Sequence, residues 1–157
     1  MSSGKIDQSA VAVALVVAIV LVRTVTQSIA ESPDTLLMNA TKRGDLKLVQ
    51  QLLRQGVDPN SHDAVHNTPL TFAARDGRLH IAKALIEAGA HVNWVDDEKV
   101  TPLILAAFKG HTDIVDLLLV HAADPMIRDQ WDRTALDYAL RRGEDHPIVK
   151  ALRHAER

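Results

Sequence analysis

Two stretches decide the fold: TPLTFAARDGRLHIAKALIEAGAHVN, from Thr68 to Asn93, and TPLILAAFKGHTDIVDLLLVHAADP, from Thr101 to Pro125. They start 33 residues apart, and the interval continues on both sides. Thr35 and Thr134 extend the threonine series. Gly44, Gly77, Gly110 and Gly143 keep the same spacing, as do Asp63, Asp96 and Asp129. A fixed period of this size marks stacked supersecondary units, none of which can bury its apolar face alone. Four units, approximately 35–67, 68–100, 101–133 and 134–157, fill the chain from about residue 31 to its end.

Each unit reads as two short helices and a loop. Thr68 and Thr101 suit the N-cap, and Pro69 and Pro102 follow at the first helical position, where a missing N–H costs nothing. Ala73-Ala74 and Ala106-Ala107 are small enough for paired helices to approach closely. Gly77 and Gly110 break the chain before a second helix. Those second helices carry Ile81, Leu85 and Ile86, then Ile114, Val115, Leu118 and Leu119, at helical spacing with a polar outer face. Gly56 and Gly89 follow as left-handed C-caps, and Ala122 takes that place in the third unit, which predicts local strain or a different cap. Segments 57–67, 90–100 and 123–133 are then protruding loops, in which Asp63, Asp96 and Asp129 are expected to bond backbone N–H groups.

Period, T-P-L-x-x-A-A opening, turn glycine and apolar second helix together resemble the ankyrin-repeat family, over the whole chain after its N-terminal segment. The resemblance implies an all-α solenoid of stacked helix-turn-helix units with short β-hairpin-like loops. The family often places His three residues after the threonine; Met38, Thr71, Ile104 and Asp137 stand there instead. The outer units carry cap features. Asn39 and Thr41 replace apolar or small residues in the first, which predicts a polar outer side. In the last, one residue is inserted between Gly143 and Ile148, and Pro147 is expected to start the final helix.

The N-terminus belongs to another category. Ala10 to Val22 reads AVAVALVVAIVLV, 13 apolar residues without a break. A membrane-spanning helix takes about 20 such residues, whereas this length suits a signal-peptide core. Ser28 and Ala30 present small residues at the spacing a signal peptidase accepts. Residues 1–30 are therefore read first as a cleaved signal peptide, giving a periplasmic or secreted protein, although Arg23 sits awkwardly before the cleavage site. An uncleaved single-pass membrane anchor stays open, with Arg23, Lys42 and Arg43 favouring cytosolic repeats. So does a buried helix of the folded domain.

Of 157 residues, 46% are hydrophobic and 24% charged, which excludes disorder for most of the length. Aromatics are only 3%, so the core must be aliphatic, and the absence of cysteine excludes disulfides, Cys-ligated zinc and a thiol nucleophile. The chain's net charge is −2; residues 31–157 hold 16 of its 18 basic and 19 of its 20 acidic side chains, a net −3. That balance argues against a nucleic-acid partner.

No catalytic constellation is evident: there is no phosphate-binding glycine loop, no G-x-S-x-G and no H-E-x-x-H. Eight histidines invite a metal, but His62 and His66 fall in a predicted loop and the others scatter over different units. The expectation is a non-enzyme without cofactor or metal.

What the resemblance implies is recognition, with the loop tips and first helices lining a concave face that holds a protein partner. The residues before each repeat glycine vary: Lys42-Arg43, Arg75-Asp76, Phe108-Lys109 and Arg141-Arg142. In register they form a cationic ridge, in which Phe108 is the odd member. The loops add Val65, Trp94, Glu98, Val100, Trp131 and Arg133, and exposed Trp and Arg are favoured interface anchors. A monomer binding one partner protein through these positions is the sequence's expectation.

Overall fold

The structure, a computed structural model, describes residues 31–156. Among them are eight α-helices: α1 Pro33–Arg43, α2 Leu46–Arg54, α3 Pro69–Arg75, α4 Leu79–Glu87, α5 Pro102–Lys109, α6 Thr112–Val120, α7 Ala135–Ala139 and α8 Pro147–Ala155. A 3-10 turn, Leu140–Arg142, continues α7. First helices pack in one row, α1 on α3, α3 on α5 and α5 on α7; second helices form the other, α2 on α4, α4 on α6 and α6 on α8. The apolar run 10–22 and the proposed cleavage region lie outside the described residues. Among the described residues no helix is long and apolar enough to cross a membrane.

Capping sets the start of the last three units. The hydroxyls of Thr68, Thr101 and Thr134 accept hydrogen bonds from the amides of Thr71, Ile104 and Asp137. The side chains of Thr71 and Asp137 reach back to the N-cap amide, completing capping boxes. Thr71 and Asp137, each three residues after its threonine, thus have a local task. The first unit differs: α1 starts at Pro33, two residues before Thr35, which lies inside the helix. Pro33 supplies a preset helical φ and Asp34 favours the positive end of the helix dipole.

Two alignments make the core. Ala40, Ala73, Ala106 and Ala139 are all buried along the first-helix row, where only a methyl fits between backbones. Leu52, Leu85, Leu118 and Leu152 are buried along the second row. The step from Leu118 to Leu152 is one residue longer than the others, and the loop before α8 absorbs it. Thr41 corrects an expectation. It does not face outward as a polar cap; it is fully buried in line with Ala74 and Ala107, and its hydroxyl has no hydrogen-bond partner among the described residues.

Backbone chirality explains the turns. Gly77 and Gly110 have φ of +72° and +86°. They are also crowded: a Cβ on Gly77 would stand 2.7 Å from the His111 ring. That ring donates from Nε2 to the Arg75 carbonyl at 3.1 Å. Gly56 and Gly89 close α2 and α4 at φ of +83° and +94°, and Ala122 closes α6 at +62°. The N–H groups of Ala122 and Ala123 bond Leu119 and Leu118 just as those of Gly89 and Ala90 bond Ile86 and Leu85.

The loops close like hairpins without a strand among the described residues. In each, one oxygen of the repeated aspartate accepts two amides: Asp63 from Val65 and Asn67, Asp96 from Glu98 and Val100, Asp129 from Trp131 and Arg133. Successive loops touch through Asp97 N–H to Val65 C=O at 3.4 Å and Gln130 N–H to Glu98 C=O at 2.9 Å. Asparagines bind neighbouring units. The Asn60 side chain donates to Gly89 C=O and accepts from His91 N–H; Asn93 does the same with Ala122 and Asp124. Met126 stands 33 residues beyond Asn93, at the third such place.

Candidate interaction face

First helices and loops share one face. One helical turn after each N-cap threonine come Phe72, Leu105 and Tyr138, and three residues later Arg75, Phe108 and Arg141. Residues three apart on a helix are neighbours, so aromatic rings and cations interleave. The Lys42 ammonium lies 4.0 Å and the Arg75 guanidinium 4.7 Å from the Phe72 ring centre, on either side of it in sequence. Farther along, Lys109 stands 5.3 Å from the Phe108 ring and Arg141 5.1 Å from that of Tyr138.

A hollow on this face lies between α5, α7 and two loops, with a volume of about 300 Å³. Leu105, Phe108 and Tyr138 form its helix wall, and Glu98, Trp131 and Arg133 its loop wall. Phe108 meets Tyr138 edge-on, with ring centres 5.5 Å apart. Phe108 is 42% exposed and Trp131 53%, an unusual exposure for rings in so aliphatic a protein. Arg133 stacks 4.7 Å from both Trp131 and Tyr138, so its plane fills the gap between the two rings.

A buried pair supports this wall. The Tyr138 hydroxyl donates to Asp129 Oδ2 at 2.6 Å, while Arg133 Nε sits 3.4 Å from the same oxygen. Burial alone would raise the Asp129 carboxyl, but hydrogen bonds from Tyr138 and from the Arg133 and Trp131 amides outweigh it and hold the carboxyl below its ordinary range. Burial, then the bond to the Asp129 carboxylate, pushes the Tyr138 phenol above its ordinary value.

The expected contact positions divide. Glu98, Phe108, Trp131, Arg133 and Arg141 meet around the hollow, and Lys109 flanks it. Lys42 and Arg43 are exposed on α1. Arg75 is bonded to Asp76 at 2.8 and 3.0 Å, a contact that holds the Asp76 carboxyl low. Val65 is exposed and lines a second hollow, between loops, with Asn67, Asp96 and Glu98. Three positions carry structural contacts of their own. Val100 is 7% exposed and belongs to the core, where it forms part of the hollow's inner lining. Trp94 is half-buried between loops: its indole N–H donates to His66 C=O at 2.7 Å and its ring lies against those of His62 and His91. Arg142 reaches back over Gly110 to the Phe108 carbonyl at 2.8 Å, joining the last two units.

Sequence reading missed Tyr138, Leu105 and Phe72. The signal was available, since each stands three residues before a chosen ridge position. Among the described residues no group of three or more His, Asp or Glu is placed to hold a metal ion. The His62–His66 pair stacks at 4.9 Å, and His66 Nδ1 bonds Asp97 at 2.6 Å.

A family model for ankyrin repeats matches residues 37–129 and, in a second overlapping match, 101–156. The chain belongs to the ankyrin-repeat family. No curated protein matches it. Ankyrin repeats generally mediate protein–protein interaction and are typically not enzymes. In these ankyrin units the turn glycines, threonine caps and aspartate loops are scaffold, and the residues of the interleaved face differ from unit to unit.

Proposed function

We propose that this ankyrin protein is a non-enzymatic interaction module that binds a partner protein through the concave face lined by its first helices and loops. The observation that supports it is the hollow at α5 and α7, where two exposed rings and a guanidinium surround a buried tyrosine. Aromatic and arginine anchors around a desolvated pocket are what concentrate binding energy at interfaces. Phe108→Ala and Trp131→Ala, each in the full chain, should weaken capture of the host partner by at least about fivefold while the melting curve barely moves. Undiminished capture by both variants would remove the site from consideration.

Residues 1–30 act in this reading as an export signal that delivers the repeats to a periplasmic or secreted location. The 13-residue apolar run and the small residues Ser28 and Ala30 support it. Intact mass from the native host decides the matter. Loss of residues 1–30 in a soluble extracytoplasmic fraction is the expected result. A full-length mass in the membrane fraction would replace export by a single-pass tether.

A further inference from the structure

The hollow and the ridge beside it specify the chemistry of what they hold. Resting on the reading of this face as the partner site, we propose that it takes an extended acidic segment of a partner protein, which inserts one large apolar side chain into the hollow at Phe108, Trp131 and Tyr138 and lays carboxylates along Lys42, Lys109 and Arg141.

Shape and apolar character come first. The hollow is about 300 Å³ and its helix wall is Leu105, Phe108 and the ring of Tyr138. That is room for one bulky side chain, and face-and-edge aromatic walls favour a ring or a branched aliphatic group.

Charge comes second. Among the ridge and hollow cations, Arg75 is paired with Asp76 and Arg133 with Asp129, so those two guanidinium charges are already met. Lys42, Lys109 and Arg141 also stand over aromatic rings, at 4.0, 5.3 and 5.1 Å, and although Asp63 feels the charge of Lys42 and Asp76 that of Lys109, neither lysine makes a direct ion pair with that carboxylate. A cation held on a ring keeps its charge available to an incoming anion. Residues 31–157 carry a net −3, so this cationic row runs against the sign of the domain and gives the molecule a polar face that steers acidic segments toward it.

Length comes third. Neighbouring helices pack about 8–10 Å apart, so four units present a row roughly 25–30 Å long. An extended chain advances about 3.3 Å per residue, so roughly nine residues cover the row, with carboxylates needed opposite Lys42, Lys109 and Arg141 in the first, third and fourth units. A nucleic-acid strand also offers anions and rings, but Glu98 on the loop wall and Asp76 on the ridge would face its phosphates. Two of five cations are also neutralised. A polyanion with a charge at every step fits this row less well than a peptide with spaced carboxylates.

The test uses the full chain and fluorescence anisotropy of labelled probes: a peptide of about twelve residues built of Gly, Ser and Asp with one central Phe; the same peptide with Lys for Asp; the same with Ala for Phe; and a thymidine oligonucleotide of equal length. The Asp–Phe peptide should bind at least about tenfold tighter than the other two peptides and the oligonucleotide. Its affinity should fall at least about fivefold between 50 and 300 mM salt. Lys109→Glu and Arg141→Glu, each folded by circular dichroism, should each weaken it by about fivefold or more, and Lys47→Glu, on the exposed side of α2, should not. Preference for the Lys peptide, tighter binding of the oligonucleotide, or no binding of the Asp–Phe peptide overturns the proposal. Host-partner capture that still depends on Phe108 and Trp131 would then leave the broader reading of the face standing. Loss of that dependence removes both.

Discussion

Replacing Ala122 by glycine should stabilise the protein, although it deletes a methyl group. Ala122 closes α6 at φ +62°, in the region where a Cβ meets the following carbonyl. That crowding costs about 1–2 kcal/mol. Glycine relieves it but gives the unfolded chain more freedom, an offset of about 0.5–1 kcal/mol. Ala122 is exposed, so its methyl contributes little burial, and the amide bonds to Leu119 and Leu118 are made by backbone alone. The net gain is about 0.5–1 kcal/mol, or a rise in Tm of roughly 2–5 °C for a domain of this size. The reverse change gives the mirror experiment. Gly89 has φ +94° and nothing within 4 Å of a Cβ placed on it, so Gly89→Ala meets only the backbone cost. It should lower Tm by a similar amount. Thermal unfolding followed by circular dichroism reads both. A fall in Tm for Ala122→Gly, or no fall for Gly89→Ala, would refute the assignment of strain to this position.

Other outcomes follow from single contacts. Thr41→Val removes a buried hydroxyl without a partner and should add about 1 kcal/mol, read as a raised urea midpoint at unchanged m-value. Tyr138 is the chain's single tyrosine, so ultraviolet titration reports it alone. Its midpoint should lie above 10 in the folded chain and fall toward 10 in Asp129→Asn, which removes the charge that opposes phenolate. Asp63, Asp76 and Asp129 all have lowered carboxyl pKa values when folded. On acidification the unfolded chain therefore takes up protons first, and stability should be full above about pH 4 and fall below it. Urea midpoints that stayed level between pH 5 and pH 3 would contradict that sign.

What sequence could and could not reveal follows from the range of each interaction. Thr68, Pro69 and Gly77 act on backbone within a few residues, so their period alone gave helix starts and turns. The aspartate loops were equally legible, since Asp63 bonds amides two and four residues on. Thr35 keeps the period without the capping role, because Pro33, two residues earlier, already starts the helix. Thr41 misled because a polar residue in an outer unit was taken to face water. Trp94 and Arg142 are conspicuous residue types, yet their partners, the His66 and Phe108 carbonyls, lie 28 and 34 residues away. The Asp129–Tyr138 pair was hidden for a related reason: one aspartate oxygen already had a complete local task, and the second meets its partner only once α7 has docked.

The asparagine ties between units bear on mechanics. Asn60 and Asn93 each grip the end of the next unit's second helix with both ends of one amide, so the first two joints resist shear as well as separation. At the third joint Met126 offers a flexible thioether, and the Arg142 strap across Gly110 lies on the opposite, first-helix side. The stack is therefore braced unevenly along its length. The end without an asparagine tie is the one whose first helices, α5 and α7, frame the aromatic hollow. A guest prising that hollow wider would bend the molecule there, while the leading units stayed stiff behind it.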